Sequence, residues 1–138
     1  MDKTSLLKIV RELFDKVHVF ALMTMDSGYP VARPVSGVIL HDENTILVST
    51  SRSSKKFQHI SKQPSATFFM HTDEKYLNIR GKPSLEDDPV LKRKYWSDSW
   101  REYYPDGLSS DEYVFFKLII EHISYKDFAG NVDVEMDF

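Results

Sequence analysis

The sequence predicts a mainly β fold, in which antiparallel strands form a sheet and a few helices flank it. Runs of β-branched and aromatic residues dominate the chain and alternate with turn signals. Most of these runs are separated by short turns, of which the DSGY segment at residues 26–29 is the clearest. A parallel sheet would instead need a crossover helix between successive strands. The short turns therefore favour an antiparallel sheet or a small barrel, and a barrel also hides its strand edges.

Strands and helices follow in a definite order along the chain. Leu6, Val10 and Leu13 recur at helical spacing and predict an amphipathic helix at the start. The two strands around the DSGY turn form a predicted hairpin, and a third strand continues the meander. Six strands are predicted, at residues 17–25, 31–40, 45–50, 65–71, 76–84 and 113–123, the last of them extending towards residue 128. Two further helices are predicted, at residues 54–62 and from a cap at Asp87 or Asp88, with Pro89 in its first turn, to about Trp100.

Length and composition suit one folded domain over residues 1–138. Apolar residues make up 41% of the chain and aromatic residues 13%, which is typical of a globular protein with its own core. The acidic tail is the exception, and we expect residues 128–138 to be loosely ordered.

Charge and cysteine content exclude several classes of protein. The formal net charge is −3 and the chain has no cysteine, so a disulfide framework and thiolate zinc sites are excluded. A general nucleic-acid or anionic-membrane binder is usually basic, which argues against both partners here. No apolar run is long enough for a signal peptide or a membrane span, so a cytoplasmic protein is expected. The five histidines show no paired ligand spacing, and no metal site is predicted.

A basic, hydroxyl-rich segment, STSRSSKKFQHI at residues 49–60, lies where the third strand is followed by a helix. A helix N-terminus offers unpaired N–H groups and a positive partial charge, and Ser54 is the expected cap. Lys55 and Lys56 on the first turn are unfavourable there unless an anion is present. The segment therefore predicts a phosphate cradle. Two alternatives stay open from these residues alone, namely a solvated helix start with incidental lysines and a small nucleic-acid patch.

A second segment, ARPVSG at residues 32–37, places a proline inside a predicted strand. Proline cannot donate to a sheet ladder, so Pro34 indicates an edge strand or a backbone that serves a ligand. In the second case, Val35 and Ser36 would offer backbone groups to a ligand beside Arg33.

Three segments together resemble the FMN-binding split-barrel proteins of the pyridoxamine 5′-phosphate oxidase-like superfamily, in particular the general stress protein 26 branch. They are DSGYPVARPVSGV, ILVSTSRSSKKFQHISKQPSATFF and YLNIRGKPSLEDDPVLKRKYWSDSWREYYPDG. The resemblance covers roughly residues 17–128. It implies a six-stranded antiparallel split β-barrel that forms a homodimer with FMN at the interface.

The resemblance also implies roles for individual residues. Arg33 and the backbone of Pro34, Val35 and Ser36 match positions along the flavin ring and ribityl chain. Thr50 and Ser51 match the ribityl–phosphate end, and Ser54, Lys55 and Lys56 match the phosphate-binding group. Relatives often carry arginine where this chain has Lys55, so a point charge replaces a bidentate fork. Tyr76, Trp96 and Trp100 are candidates for the surface facing the partner chain, with core or dimer packing as the simpler role for the two tryptophans.

The function that this resemblance implies is that of a flavin-dependent oxidoreductase with FMN as cofactor and an unknown small-molecule substrate. The C-terminal segment YKDFAGNVDVEMDF lacks the arginine with which authentic pyridoxamine phosphate oxidases grip a substrate phosphate. We name no catalytic side chain, because the flavin itself would perform the redox step. The alternatives are a non-catalytic flavin-binding stress or sensor protein, and a split barrel that binds deazaflavin or haem.

Overall fold

The structure is a computed structural model that describes residues 1–138. Its helices are α1 (Lys3–Lys16), α2 (Lys55–Lys62) and α3 (Pro89–Tyr95), with 3₁₀ turns at Asp98–Glu102 and Gly107–Ser109. Its strands are β1 (Val19–Asp26), β2 (Tyr29–Ser36), β3 (Val38–Asp42), β4 (Thr45–Ser51), β5 (Ala66–His71), β6 (Lys75–Glu86), β7 (Tyr113–Asp127) and β8 (Val132–Asp137).

All eight strands belong to one antiparallel sheet, which confirms the predicted fold class. The strand order is β2-β1-β5-β6-β7-β4-β3, and β8 pairs with β7. Strand β7 organises the sheet, because it pairs with β6 along most of its length, with β4 at its start and with β8 at its end. The two ends of the path, β2 and β3, do not pair with each other, so the barrel stays open along this line.

The sheet has eight strands rather than the six predicted, and the predicted strand at residues 31–40 is one cause. Gly37 divides it, because its φ of +64° is a left-handed conformation that ends the regular strand. The residues before Gly37 therefore form β2, which pairs with β1, and the residues after it form β3, which pairs with β4.

The C-terminal tail is the other cause, and the prediction of loose order for residues 128–138 is wrong. Val132–Asp137 forms β8 and pairs with β7. Its apolar side chains alternate with acidic ones, and Val132, Val134 and Met136 pack against the main core. His122 on β7 contacts Asp137 at 2.7 Å, so the acids on the outer face of β8 also have partners.

Two hydrophobic clusters hold the sheet in place. The larger one packs α1 and α2 against the inner face, with Leu6, Phe20, Phe68 and Phe116 among its buried members. The smaller one lies beside α3 and the 3₁₀ turns, and its buried members are Leu47, Tyr104, Tyr113 and Phe115. The candidate site lies at the edge of this second cluster, next to the start of α2.

Candidate functional site

The start of α2 carries a buried polar atom that has no partner. Ser54 is the N-cap of the helix, as predicted, with φ −67° and ψ 153°. Its side chain does not make the expected capping hydrogen bond, however, and its Oγ is buried without any hydrogen-bond partner. A buried hydroxyl without a partner is unfavourable, so this atom fits a site that is completed by a ligand or an ordered water.

Two cations near this point are not compensated by any carboxylate. Neither Arg33 nor Lys56 has an acidic oxygen within the 4.0 Å that defines an ion pair. Burial, and then the positive charge of Arg33, lower the pKa of Lys56. Burial also lowers the pKa of Arg33. The free protein thus holds two positive charges in a place that disfavours them, and a bound anion would relieve both effects.

Neutral groups fix the guanidinium of Arg33. Its Nη1 donates to Thr24 Oγ1 at 3.0 Å, and its Nη2 lies 3.3 Å from His59 Nδ1. Thr24 Oγ1 and His59 Nδ1 are themselves 2.8 Å apart. Because arginine can only donate, Nδ1 is the acceptor and the imidazole proton sits on Nε2. This triad orients Arg33 without cancelling its charge.

A cavity of about 380 Å³ opens beside Lys56. The end of β2, the last four residues of β4 and the loop after α3 form its walls. Six of the residues predicted for the site line it together, namely Val35, Ser36, Thr50, Ser51, Lys56 and Trp100. Gly37, Val48, Ser49, Tyr103 and Tyr104 complete the lining. The cavity therefore has a cationic end at Lys56, a stretch of hydroxyls and an aromatic wall.

The remaining predicted residues lie elsewhere. Arg33 and Pro34 line a second cavity, of about 400 Å³, on the outer face of β1, β2 and β5. Most of its lining is apolar, and His71 lies at its edge. Lys55 is exposed and lines neither cavity. Tyr76 is half-buried and also lines neither cavity, and its ring lies near those of Phe69 and Phe128.

The prediction that one helix carries Trp96 and Trp100 is wrong. Helix α3 ends at Tyr95, and Trp100 belongs to the following 3₁₀ turn. The two indoles nevertheless meet edge to face, with ring centroids 5.9 Å apart, because both pack on Tyr113. Tertiary packing of the aromatic rings thus replaces the helical spacing, and it places Trp96 in the second core cluster.

Five lining residues were not predicted for the site, and Tyr103 and Tyr104 are the two aromatic ones. Tyr103 is 70% exposed at the cavity, whereas only 5% of Tyr104 is exposed. Burial raises the pKa of Tyr104, and the neighbouring Ser51 hydroxyl opposes this rise. Both lie between the third predicted helix, which ends at about Trp100, and the predicted strand at residues 113–123. An aromatic pair inside a polar loop was the signal that the loop folds back over the sheet.

Comparison with known families identifies the family to which this chain belongs. The family described as pyridoxamine 5′-phosphate oxidase like matches residues 6–136. The chain belongs to this family. The family predicted from the sequence motifs is therefore confirmed, and a search of curated proteins finds no match.

Solved structures related to this pyridoxamine 5′-phosphate oxidase-like chain share its fold at low sequence identity. General stress protein 26 from Bacillus anthracis is 22% identical, with a TM-score of 0.80 over 95% of this chain and 98% of the other. A Clostridium acetobutylicum protein related to general stress protein 26 is 20% identical, with a TM-score of 0.81 over 100% and 97%. A haem-binding protein from Mycobacterium smegmatis is 15% identical, with a TM-score of 0.71 over 95% and 57%. No helix of this chain has the length and apolar character needed to cross a membrane.

Proposed function

We propose that the protein binds FMN, with the flavin phosphate at the start of α2. The observation that carries this proposal is the buried, unpartnered Oγ of Ser54 at the start of α2, two residues before Lys56, a half-buried cation without a carboxylate partner that also senses the charge of Arg33. A phosphate group supplies two negative charges and several acceptors, which is what a cationic helix start with a free hydroxyl lacks. The family to which the chain belongs supports the choice of a phosphorylated ligand.

The cavity next to Lys56 would take the rest of the molecule. The hydroxyls of Thr50 and Ser51 suit a ribityl chain, and the backbone of Val35 and Ser36 offers groups at the rim. Trp100 and Tyr104 supply an aromatic wall that excludes water from one side. A flavin bound there would supply hydride or electron transfer, while the protein contributes position and electrostatics.

Purified protein should therefore carry, or take up, FMN. The absorption spectrum would be recorded as isolated and after addition of FMN, and mass spectrometry of the extracted cofactor would distinguish FMN from a deazaflavin. A protein that stays colourless and does not quench FMN fluorescence contradicts the proposal.

We further propose that the protein is a flavin-dependent oxidoreductase rather than a passive flavin binder. No side chain is assigned a chemical step, so the distinction depends on turnover. Anaerobic mixing of the holoprotein with NADH or NADPH, followed by an electron acceptor, should bleach the flavin and then restore it. A flavin that is not reduced by either donor favours the sensor or stress-binding role.

We also propose that a second copy of this chain covers the outer face of β1, β2 and β5. The side chains there are largely apolar, and they include Val19, which is 55% exposed, with Ala21, Ala32, Pro34 and Phe69 beside it. An apolar sheet face of this kind is typical of an interface between subunits. Sedimentation should give a dimer, and Phe69→Glu should give a monomer. A monomeric wild-type protein contradicts this proposal.

Haem is the second candidate ligand, and it has its own supporting observation. His71 lies at the apolar cavity, and its Nδ1 is 3.3 Å from the carbonyl oxygen of Thr72, so its Nε2 is free to bind a metal. Haem in this cavity predicts a Soret band that His71→Ala removes. An unchanged spectrum on adding haem excludes it.

A further inference from the structure

The turn just before the phosphate-binding residues is held by acceptors from two distant loops. The amide of Arg52 donates to the carbonyl of Glu112 at 2.9 Å, and its Nε donates to the carbonyl of Asp111 at 2.9 Å. The amide and the hydroxyl of Ser53 both donate to Glu112 Oε2, at 3.2 and 2.8 Å. Arg52 Nη2 also pairs with Asp87 Oδ2 at 2.6 Å.

These contacts use the donors that an incoming anion would otherwise meet. Arg52 is the cation of the segment best suited to a bidentate contact with phosphate, yet its guanidinium already binds Asp87 and a backbone carbonyl. The Ser53 amide, next to the helix start, already faces a carboxylate. At the start of α2, the buried Ser54 hydroxyl and the Lys56 ammonium have no such acceptors and stay free for an anion.

We infer that Glu112 is a positioning residue for the proposed phosphate site, because it holds Arg52 and Ser53, the two residues that precede the N-cap Ser54. This inference rests on the proposed function. Glu112 directly precedes β7, whose first residue pairs with Ser51 at the end of β4. The carboxylate thus links the turn to the most heavily paired strand of the sheet.

The negative charge of Glu112 and its hydrogen bonds have opposite effects on the binding of an anion. A carboxylate this close to the site repels an anion, whereas its hydrogen bonds to Ser53 organise the turn that receives the anion. Glu112→Gln keeps an acceptor for Ser53 and removes the charge. Glu112→Ala removes both. The two variants therefore separate position from electrostatics.

The test compares FMN with riboflavin, which lacks the phosphate. Glu112→Ala should weaken FMN binding by about tenfold, as expected for the loss of one organising hydrogen-bonded contact, and leave riboflavin binding unchanged. Glu112→Gln should bind FMN as tightly as the wild type or more tightly. Glu12→Ala, which replaces an exposed glutamate on α1, is the matched control and should change neither affinity.

Hydrogen exchange in the ligand-free protein provides an arm that needs no flavin. In Glu112→Ala the amide of Ser53 should exchange faster, because its carboxylate acceptor is removed. The amide of Arg52, which donates to the backbone carbonyl of residue 112, is the internal reference, and the amides of β7 should stay protected. Unchanged exchange of the Ser53 amide overturns the inference even if the wild type binds no FMN, which would by itself contradict only the proposed function. An equal loss of FMN and riboflavin affinity also overturns it, because that pattern indicates a general loss of structure.

Discussion

The two halves of the basic segment contain the same kinds of residue and differ in what surrounds them. In the first half, Arg52 and Ser53 have acceptors for their donors, supplied by Asp87, Asp111 and Glu112. In the second half, the side chains of Ser54 and Lys56 have none. The first half therefore stabilises the turn. The second half destabilises the free protein, because it contains an unpartnered hydroxyl and a disfavoured charge.

This difference separates structural from functional charge more sharply than residue type does. A cation with a carboxylate at 2.6 Å has little to offer a ligand. Lys56 is half-buried, and the charge that acts on its pKa is that of another cation, Arg33. A bound anion would stabilise its charged form. The segment thus combines a fixed support with an unsatisfied binding half.

Of the substitutions in the basic segment, replacement of Lys56 should have the largest effect on the affinity for FMN. Lys56→Ala should weaken FMN binding by about 1.5–3 kcal/mol, or roughly 10- to 150-fold, because one charge-assisted contact is lost. Lys55→Ala is the matched control, since Lys55 is exposed and should change the affinity little. Fluorescence titration measures both. Equal effects of the two variants would show that only net charge matters.

Two serine variants, one in each half of the segment, should have effects of intermediate size on stability and on FMN binding. Ser54→Ala should leave the stability of the free protein unchanged or higher, because its Oγ has no partner, and weaken FMN binding by about 0.5–1.5 kcal/mol. Ser53→Ala should instead lower the free energy of unfolding by about 0.5–1.5 kcal/mol, since its hydroxyl binds Glu112 at 2.8 Å. Urea unfolding and flavin titration check both. Identical behaviour of the two variants would contradict the division of the segment.

The Arg52–Asp87 pair should have a smaller effect, which depends on pH. The hydrogen bond from Arg52 is the main cause that lowers the pKa of Asp87 below its usual 3.8. Its stabilising contribution is therefore complete above pH 3.8 and is lost as the pH falls through the lowered value. Both side chains are more than 40% exposed, so Asp87→Asn should cost only about 0.5 kcal/mol at neutral pH. Urea unfolding at neutral and acidic pH should show the difference from the wild type disappearing in acid.

The smallest effect should come from the titration of Lys56 in the free protein. Its folded pKa is lowered from 10.5, so between the two values the unfolded chain binds a proton that the folded chain does not. Stability due to this group must therefore rise with pH across that window. Lys56→Met should lack this rise relative to the wild type in thermal unfolding, and bound FMN should suppress it in the wild type. If the thermal stability of the two proteins depends on pH in the same way, the pKa of Lys56 is not lowered in the folded protein.

The sequence was informative where the signal is local. The antiparallel fold, the DSGY hairpin and helix α2 follow from periodicity and turn residues, and the helix start identified Ser54 and Lys56. The break at Gly37 was hidden, because an isolated glycine in a strand pattern has several structural meanings. Strand β8 was missed because its net acidity outweighed its alternation of apolar and polar residues.

The roles of the charged groups could not be predicted in the same way. Arg52 and Lys56 are both basic and lie four residues apart, but the partners of Arg52 are 35 and 59 residues away in the sequence. Only the folded chain shows that Arg52 is paired and Lys56 is not. For the same reason the sequence did not predict that Tyr103 and Tyr104 line the cavity, because the loop after α3 reaches β4 only in the folded chain.

Lys56 and the unpartnered hydroxyl of Ser54 are proposed to receive the phosphate of FMN. Calorimetric titration of the wild type and of Lys56→Ala with FMN and with riboflavin tests this proposal most directly. We expect the wild type to bind FMN at least about tenfold more tightly than riboflavin, as one charge-assisted contact requires, and the variant to lose most of that preference. Equal affinity of the wild type for the two flavins would contradict the account.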